Sequence, residues 1–390
     1  MSAPQARPLA IHLIAGEASG DHLGAALMRA LRAARPDVRF AGVGGAAMEA
    51  EGVKSPFPIE DVSIIGIAAI PRALPRILRR IRQSADAVIA AQPDALVIID
   101  APDFTHRVAR KVRAAAPNIP IIDYVSPTVW AWRPGRARAM RAYVDEVLAL
   151  FPFEPAVHQK LGGPPCTYVG HPLADSLAAL RPNAEEARRR LADPPVVLAL
   201  PGSRASEIRR LAATFGEALG LVAARAGPLD VVLPTLPHVA ALVAEAVASW
   251  PVKPRILLDA CEKHAAFRTA RAALAASGTV TLELALAQVP LVGAYRVTRW
   301  EEAIIRAMAG RYIDTAMLPN LVLGEKVVPE FLQERCKAAL IAAGLLPLLS
   351  DTPARRRQVE AFGRLDTVMD LPGGSPSARA AERVLKVTGR

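Results

Sequence analysis

Cysteine and aromatic residues are both scarce in this 390-residue sequence. The three cysteines, Cys166, Cys261 and Cys336, lie far apart and form no CxxC pair, so free thiols in a reducing cytoplasm are expected. Aromatic residues make up only 5% of the chain, whereas hydrophobic residues make up 52%. Ala, Leu, Val and Ile must therefore fill most of the core, which is typical of proteins that alternate helices and strands.

Long apolar runs are absent from the sequence as well. No stretch reaches the roughly 18–20 apolar residues that a membrane-spanning helix needs. The first apolar run, residues 9–15, contains His12 and stops at Gly16 and Glu17, so it lacks the form of a signal peptide. Any membrane association of the chain is therefore expected to be peripheral.

Acidic residues are outnumbered by basic ones, 37 against 48, which gives a net charge of +11. An excess of positive charge suits a polyanionic partner such as a nucleic acid, an anionic membrane surface or a phosphorylated substrate. The basic residues are scattered and form no recognised nucleic-acid-binding motif, which argues against a nucleic-acid partner. Charge alone fits a solvated basic surface equally well.

Short apolar runs, each followed by a helical pattern, predict two series of strands. Most of these runs are rich in Val, Ile and Leu without polar alternation, which is typical of parallel strands buried on both faces. The predicted strands cover residues 9–15, 39–43, 95–99, 120–125 and 146–150, and then residues 196–200, 230–233, 255–258, 272–275 and 290–295.

The two series predict an α/β protein with two doubly wound, Rossmann-like domains that face each other across a cleft. A charged helical patch and a Pro-Pro break place the domain boundary near residues 175–195. We assign residues 1–175 to the first domain, residues 176–350 to the second and residues 351–390 to a helical tail.

Two acidic residues follow predicted strands of the first domain. Glu17 lies in the turn GEASGD, and Asp100 ends the strand that leads into DAPDF. Carboxylates at the carboxyl ends of parallel strands lie where ligands bind, and Asp100 could act as a general base. Helix capping is an equally good interpretation, with Asp100 as a turn residue, Asp103 capping the next helix and Ser19 or Asp21 capping the first. The DAPD spacing provides no oxygen-rich ligand set, so we expect no metal ion.

The segment YVSPTVWAWR follows the fourth predicted strand and contains Trp130 and Trp132. A tryptophan pair usually fills a core, but a position on a loop after a strand favours a functional role. The indoles would suit a stacked sugar or an acyl chain. Arg133, Arg136 and Arg138 follow and would suit a phosphate.

Two strand-to-helix turns of the second domain have the composition of phosphate-binding sites. Glycine lets a phosphate approach the backbone, the helix N-terminus supplies N–H donors, and arginine supplies a fixed positive fork. An acid one turn inside the second helix could bind both hydroxyls of a ribose. Two capped helices with a solvated acid are the alternative, and we favour a nucleotide site because both turns lie on one sheet edge. The residues concerned are Gly202, Ser203 and Arg204 in the first turn, and Ser277, Gly278, Thr279 and Glu283 in the second.

Residues 64–82 combine bulky aliphatic residues with five arginines and no acid. Such a segment fits an interfacial contact with a membrane. A core helix with a basic outer face is at least as common an explanation.

In their order along the chain, these motifs resemble the lipid-A-disaccharide synthase family over nearly the whole sequence. AGEASGD at 15–21 and YVSPTVWAWR at 124–133 are together highly specific, whereas the second-domain turns are shared with other GT-B glycosyltransferases. The further matching motifs are GVGG at 42–45, IDAPDF at 99–104, PFE at 152–154, VGHPLAD at 169–175, LPGSR at 200–204, SGTVTLE at 277–283, LPN at 318–320 and PEFLQE at 329–334.

The resemblance implies transfer of 2,3-diacylglucosamine from its UDP-activated form to the 6-hydroxyl of 2,3-diacylglucosamine 1-phosphate. The products would be a β-1,6-linked lipid A disaccharide 1-phosphate and UDP, formed with inversion and without a cofactor. The resemblance also implies a cytoplasmic protein that is peripheral on the anionic surface of the inner membrane. Members of the family can exchange C-terminal segments between protomers, and the tail is compatible with such a homodimer.

The resemblance further implies roles for individual residues. Glu17 and Asp100 would belong to the reaction centre, with either one as the base, and Asn320 would join Arg204 and Glu283 in the UDP site. The expected acceptor-binding residues are Ser19, Gly20, Trp130, Trp132 and Arg133.

The sequence departs from the family pattern in two places. Ala69 stands where the family usually has a glutamate, and Pro71 is expected to interrupt the helix that follows. Val280 replaces a small alanine, which we interpret as a packing change. Nucleotide-sugar 2-epimerases and a non-catalytic nucleotide-sugar or lipid carrier are the rival interpretations, but the epimerases lack AGEASGD and YVSPTVWAWR.

Overall fold

The computed structural model describes residues 7–62, 70–131, 133–298, 300–302, 315–370 and 374–389, and for residues 70–73 it describes the backbone. The chain folds into two compact units. The first unit contains the residues up to Ala174 together with the C-terminal segment from Leu371, and the second contains Asp175–Asp370. The segment that the sequence suggested as one helical tail is thus divided between the units.

The first unit is built on a parallel sheet of six strands among its described residues. The strands are β1 (Ala10–Ala15), β2 (Arg39–Val43), β3 (Ala95–Ile99), β4 (Ile121–Tyr124), β5 (Glu146–Ala149) and β6 (Cys166–Tyr168), paired in the order β2-β1-β3-β4-β5-β6. The described helices are α1 (Ala18–Ala34), α2 (Ala46–Ala50), α3 (Ile70–Ala91), α4 (Pro102–Ala115), α5 (Gly135–Met140), α6 (Glu154–Lys160) and the C-terminal α16 (Pro376–Val387).

The second unit repeats this architecture with a second parallel sheet, again of six strands where the structure describes the chain. The strands are β7 (Val196–Leu200), β8 (Asp230–Pro234), β9 (Arg255–Leu257), β10 (Ala272–Ala276), β11 (Leu291–Tyr295) and β12 (Glu330–Leu332), in the order β12-β11-β10-β7-β8-β9. The described helices are α7 (Leu177–Leu180), α8 (Ala184–Leu191), α9 (Ala205–Ala226), α10 (Ala240–Val247), α11 (Ala260–Thr269), α12 (Thr279–Leu286), α13 (Leu318–Leu323), α14 (Ala338–Leu345) and α15 (Pro353–Val368).

The predicted α/β fold class with two doubly wound parallel sheets is confirmed. Every residue of β3, β7 and β10 is buried, as expected for strands covered on both faces. Burying one Val, Leu or Ile side chain contributes roughly 1.5–3 kcal/mol, so these apolar runs specify the centre of each sheet.

Two strands, β6 and β12, were not predicted. Each is three residues long and lies at the edge of its sheet. All of β6 is half-buried, and only the central residue of β12 is buried. Such short edge strands lack the continuous apolar run that identifies a central strand.

Each sheet has a point at which the strand order reverses. In the first sheet β1 lies between β2 and β3, and in the second sheet β7 lies between β8 and β10. Ligands of open α/β sheets bind outside the carboxyl ends of the strands at such points. The first reversal point carries the turn after β1 and Asp100, and the second carries the turns after β7 and β10.

The last helix, α16, packs against α1 of its own first unit. Its residues Ala380, Ala381 and Val384 are buried in the core that includes Leu27 and Leu31. The exchange of this segment between protomers stays a prediction.

Helix α3 is amphipathic, and it begins at Ile70, so Pro71 lies in its first turn instead of interrupting it. A proline is tolerated there because the first N–H groups of a helix have no intrahelical acceptor. Ile77 and Ile81 are buried, whereas Leu74 and Leu78 are exposed. None of the described helices is both long and apolar enough to span a membrane.

Candidate functional site

Asp100 and Ser19 lie together at the carboxyl edge of the first sheet. Ala15 of β1 pairs with Ile99 of β3, so the turn after β1 is next to the residue that follows β3. The Ser19 hydroxyl donates a hydrogen bond of 2.7 Å to Oδ2 of Asp100, and Oδ1 accepts one of 2.8 Å from the N–H of Ala101. Both oxygens of this half-buried carboxylate are thus held in a fixed orientation.

The backbone of Asp100 and Ala101 is strained. Both residues adopt the left-handed conformation, with φ of 54° and 45°, which costs on the order of 1–3 kcal/mol for each non-glycine residue. Contacts on both sides hold this conformation. The N–H of Asp100 donates to the carbonyl of Tyr124 at 3.1 Å, and the Thr105 hydroxyl donates to the carbonyl of Asp100 at 2.7 Å. Strain that is held in place in this way is typical of functional sites.

Two glycines allow the turn after β1 to approach Asp100. A Cβ on Gly16 would lie 2.5 Å from the Cβ of Ala101, and a Cβ on Gly20 would lie 3.0 Å from the carbonyl oxygen of Ile99. Gly20 is itself buried. Its contribution is therefore close packing behind Asp100, which a larger residue would disturb.

Glu17 is the N-cap residue of α1 and is exposed, but no side chain caps this helix. The prediction that Ser19 or Asp21 caps α1 is therefore wrong, because both residues lie inside its first turn. The buried Asp21 carboxylate instead accepts hydrogen bonds of 2.8–3.0 Å from the N–H groups of Gly45, Ala47 and Met48. It thus stabilises the start of α2.

The loop after β4 holds Trp130 through polar and aromatic contacts. Its indole N–H donates to Oε1 of Glu154 at 3.3 Å, and its ring meets that of Phe153 edge to face, with centroids 5.6 Å apart. Trp132 lies outside the described residues. Arg133 is half-buried and has a φ of 54°, so this part of the loop is strained as well.

A buried acid that sequence reasoning missed lies next to this loop. Glu154 is only 2% exposed and accepts a hydrogen bond of 2.9 Å from the N–H of Phe151. Burial raises the pKa of Glu154 to about 7, although the hydrogen bonds from Phe151 and Trp130 oppose this shift. Ser126 Oγ and His158 Nε2 lie 2.9 Å apart in the same region. In the sequence, Glu154 appeared only as part of the PFE motif, and its position in the first turn of α6 gave no sign of its burial.

The two predicted turns of the second unit line one cavity of about 460 Å³ at the point where the strand order reverses. Its volume lies within the range of about 300–1,000 Å³ that is usual for small-molecule sites. Leu236 and Leu258, both exposed, add an apolar wall. The structure brings together the predicted residues Gly202, Ser203, Arg204, Ser277, Gly278, Thr279 and Glu283.

In the first of these turns, the backbone N–H groups are already bonded to the side chain of Glu207. Oε2 of Glu207 accepts from the N–H groups of Ser203 and Arg204 at 3.1 and 3.3 Å, and Oε1 lies 3.1 Å from the Arg204 guanidinium. The prediction that the backbone of LPGSR is an open phosphate cradle therefore needs correction. The exposed residues of this turn that line the cavity are Ser203 and Arg204.

The second turn is open. Gly278 is the N-cap residue of α12, no side chain caps this helix, and a Cβ on Gly278 would meet nothing within 4 Å. One turn further on, Glu283 forms an ion pair of 2.5 Å with Lys263 of α11. Sequence reasoning did not predict Lys263, because the two residues are 20 positions apart and belong to different helices.

Asn320 does not line this cavity. It is 2% exposed, and its Oδ1 accepts from the N–H groups of Val327 and Val328 at 2.9 and 2.8 Å. Its Nδ2 donates to Thr315, to the carbonyl of Val328 and to Glu330 at 3.0–3.2 Å. The amide is fully engaged in holding the described segment 315–330, so the structure gives Asn320 a positioning role and no direct contact with the cavity.

Asp103 does not cap α4, because the N-cap residue is Ala101 and no side chain caps this helix. Its carboxylate is exposed and pairs with Arg136 at 2.9 Å. Within the described ranges, no group of three or more His, Cys, Asp and Glu residues could hold a metal ion.

Two parallel six-stranded α/β units among the described residues, with a strained carboxylate at one reversal point and a cavity at the other, have the architecture of the GT-B class of proteins. The glycotransferase of kitacinnamycin is similar to this chain, with a TM-score of 0.62, 17% identity and coverage of 98% of this chain and 99% of that one. The UDP-GlcNAc 2-epimerase of Methanocaldococcus jannaschii, solved with UDP-GlcNAc and UDP, has a TM-score of 0.58, 13% identity and coverage of 97% and 99%. These likenesses show the fold.

The family follows from sequence similarity. The family model for lipid-A-disaccharide synthetase matches residues 11–368. Lipid-A-disaccharide synthases of Rhodopseudomonas palustris strain BisB18 and Bradyrhizobium diazoefficiens are 60% and 58% identical to this chain. Each comparison covers 96% of this chain, and 94% and 95% of the two relatives. The chain belongs to the lipid-A-disaccharide synthetase family, and it is a glycosyltransferase of lipid A biosynthesis.

Proposed function

We propose that the chain transfers 2,3-diacylglucosamine from its UDP-activated form to the 6-hydroxyl of 2,3-diacylglucosamine 1-phosphate. A β-1,6-linked lipid A disaccharide 1-phosphate and UDP are formed, with inversion at the anomeric carbon. The observation that carries this proposal is the Asp100 carboxylate, oriented by Ser19 and by its own strained backbone at the reversal point of the first sheet.

The reaction is a single displacement. Asp100 takes the proton of the 6-hydroxyl while the oxygen attacks the anomeric carbon of the donor, and the bond from that carbon to the UDP oxygen breaks. The hydroxyl of Ser19, 2.7 Å from Oδ2 of Asp100, holds the carboxylate in the orientation that accepts the proton. Glu17 is exposed at the start of α1, at the same edge of the sheet as Asp100, and is the second candidate for the base.

The departing UDP is held in the cavity of the second unit. The open N-terminus of α12 and the guanidinium of Arg204 lie where they can stabilise the negative charge that develops on the diphosphate. Glu283 accepts the ribose hydroxyls, and Lys263 keeps its carboxylate oriented toward the cavity. Asn320 contributes indirectly, because it orders the segment whose Ala316 carbonyl accepts a hydrogen bond from Ser277.

The substrates are lipids, so we also propose that the chain acts as a peripheral protein on the cytoplasmic, anionic surface of the inner membrane. Helix α3 supports this proposal because it exposes Leu74 and Leu78 beside Arg79, a combination that suits an interfacial contact. A homodimer in which α16 is exchanged between protomers is a further proposal, and in such a dimer the contact of α16 with α1 would form between the two protomers.

The test is mass spectrometry of products formed by the purified chain in detergent micelles. UDP-2,3-diacylglucosamine is supplied with and without 2,3-diacylglucosamine 1-phosphate. The expected result is a product whose mass equals the sum of the two substrates minus the mass of UDP. It should form only when both substrates are present. Conversion of the UDP-sugar in the absence of acceptor would instead favour an epimerase, the rival that the shared fold suggests. Binding of the UDP-sugar without any conversion would favour a carrier.

A further inference from the structure

A second cavity of about 400 Å³ lies in the first unit, and its lining includes Pro102 and Asp103, which follow Asp100 closely in the chain. It is formed by residues of α4 up to Arg110, by Arg133 and by α5, and we call it the arginine pocket. Its charged residues are Asp103, Arg107, Arg110, Arg133 and Arg136. None of the steps described above uses Arg107, Arg110 or Arg136.

The arginine pocket starts close to the reaction centre along the chain. Asp103, in the first turn of α4, follows Asp100 by three residues, and consecutive Cα atoms are about 3.8 Å apart, so the two Cα atoms lie within about 11 Å of each other. Asp103, Arg107 and Arg110 are spaced by four and three residues, so they share one face of α4. A ligand that reaches from Asp100 into the pocket therefore runs along this face of the helix.

The pocket carries an excess of positive charge. Its lining contains four arginines and one acid, Asp103, whose carboxylate lies 2.9 Å from Arg136 and 3.7 Å from Arg133. Arg110 lies over the Tyr143 ring at 4.7 Å and donates to its hydroxyl at 3.2 Å, so its guanidinium is held in place without losing its charge. Arg107 is exposed and forms no ion pair within the described residues.

These groups match a phosphate monoester. Arginine presents several N–H donors in a rigid fork, and arginine–phosphate pairs form short, charge-assisted hydrogen bonds. The Asp103 carboxylate is 75% exposed, so its ion pair with Arg136 contributes little free energy. A phosphate can therefore replace Asp103 as the partner of Arg136. A dianionic phosphate in the pocket would then have Arg107, Arg110 and Arg136 available as donors.

We propose that the arginine pocket binds the 1-phosphate of the acceptor sugar, and that Arg107, Arg110 and Arg136 make the enzyme specific for a phosphorylated acceptor. This inference rests on the proposed function, because it takes the acceptor 6-hydroxyl to lie at Asp100. The 1-phosphate is at the opposite end of the same sugar ring, and the pocket begins at Pro102 and Asp103, two and three residues after Asp100. The phosphate thus fixes the direction in which the acceptor enters the site.

The phosphate group of an anionic phospholipid has the same chemistry, so the experiment must separate the two sources. Initial rates are measured in neutral detergent micelles with two acceptors, 2,3-diacylglucosamine 1-phosphate and the same lipid with a free 1-hydroxyl. The chain is compared with the Arg107→Gln/Arg110→Gln variant, with Asp103→Asn and with the control Lys111→Gln. Lys111 is exposed on α4 and does not line the pocket. Binding to vesicles of phosphatidylglycerol is measured in parallel.

The parent is expected to have the higher kcat/KM for the phosphorylated acceptor. The double arginine variant should lower that preference by about tenfold or more, because each charge-assisted hydrogen bond contributes roughly 1.5–3 kcal/mol. The donor KM and the rate with the 1-hydroxyl acceptor should stay unchanged. Asp103→Asn should raise the preference, and Lys111→Gln should leave it as in the parent.

An equal loss with both acceptors, or no loss at all, would overturn the inference. A preserved preference combined with weaker vesicle binding would also overturn it and would assign the arginines to a phospholipid headgroup. The proposed function fails in a different way, because then the parent would form no disaccharide from either acceptor.

Discussion

The hydroxyl of Ser19 and the carboxylate of Asp100, 81 positions apart, are joined by a hydrogen bond of 2.7 Å. The bond connects the first turn of α1 to the end of β3, and therefore connects two motifs that each look ordinary alone. Because Asp100 also has a left-handed backbone, this carboxylate is held by both its side chain and its main chain. Two substitutions follow from that arrangement.

Asp100→Asn is expected to lower kcat by about 10²–10⁴-fold, the usual contribution of general-base assistance. Asparagine keeps the size of the side chain and can still accept from Ser19, but it cannot take the proton of the 6-hydroxyl. UDP affinity should be unchanged, because the cavity proposed for UDP is lined by residues of the second unit. Micelle kinetics and calorimetry with UDP on the same preparation check both statements.

Ser19→Ala tests the same carboxylate with a milder change than Asp100→Asn. It removes one hydrogen bond to Asp100 and leaves the carboxylate able to accept a proton, so its loss of kcat should be clearly smaller. If Asp100→Asn keeps kcat within about threefold of the parent, Asp100 is not the base. Glu17 would then become the leading candidate.

The ion pair between Glu283 and Lys263 leads to a prediction about the donor. Glu283→Ala should raise the KM for UDP-2,3-diacylglucosamine by about tenfold or more, since loss of a charged hydrogen-bond acceptor costs roughly 1.5–3 kcal/mol. The acceptor KM should stay the same. Glu262→Gln, an exposed acid on α11, is the matched control. A raised acceptor KM beside an unchanged donor KM would contradict the ribose assignment.

Burial of Glu154 predicts an unusual pH dependence of stability. Its pKa is raised from 4.5 to about 7 in the folded chain. Below pH 4.5 the carboxyl is protonated in both states, and as the pH rises the unfolded state loses its proton first. Stability is therefore lost between pH 4.5 and 7, by about 3 kcal/mol at 1.36 kcal/mol per pKa unit.

The measurement is the free energy of unfolding at pH 5.5 and pH 8 for the parent and for Glu154→Gln. Other titrating groups are shared by the two proteins, so the difference between them isolates Glu154. The parent should lose stability relative to the variant as the pH rises. Glu185→Gln, at an exposed acid of α8, should show no such trend. A pH-independent difference for Glu154→Gln would mean that its carboxylate is ionised throughout.

The sequence was sufficient to predict the central strands and the turns that follow them, because buried parallel strands form continuous apolar runs. It was not sufficient for the contacts that decide how each turn is used. The spacing of residues does not show that the Glu207 carboxylate accepts hydrogen bonds from its own turn. It also does not show that the Asn320 amide forms its hydrogen bonds with the backbone around Val328. Glu154 illustrates the same limit, since its burial depends on Phe151 and on the loop that carries Trp130.

The structure changes which residues of helix α3 are expected to contact a membrane. The five arginines of residues 64–82 looked unpaired in the sequence, but Asp61 lies 2.5 Å from Arg80 and 3.6 Å from Arg76. Arg80 also lies over the Phe57 ring, 4.6 Å from its centroid. These two arginines are therefore partly engaged within the protein, and the exposed leucines become the better test of membrane contact.

Leu74→Ser/Leu78→Ser is expected to weaken co-sedimentation with phosphatidylglycerol vesicles by about tenfold or more. The two side chains are 39% and 49% exposed and four residues apart on one face of α3, and burying each in the interface would contribute up to about 1.5–3 kcal/mol. Arg79→Gln should weaken binding by a smaller amount, about 1 kcal/mol at low salt, and should have no effect with neutral phosphatidylcholine. Leu221→Ser is the matched control, because Leu221 is 38% exposed on α9 of the second unit. Activity toward a short-chain, micelle-free acceptor should be the same in all variants.

Equal sedimentation of the double variant and the parent would show that these leucines lie on a solvated helix face that does not contact the membrane.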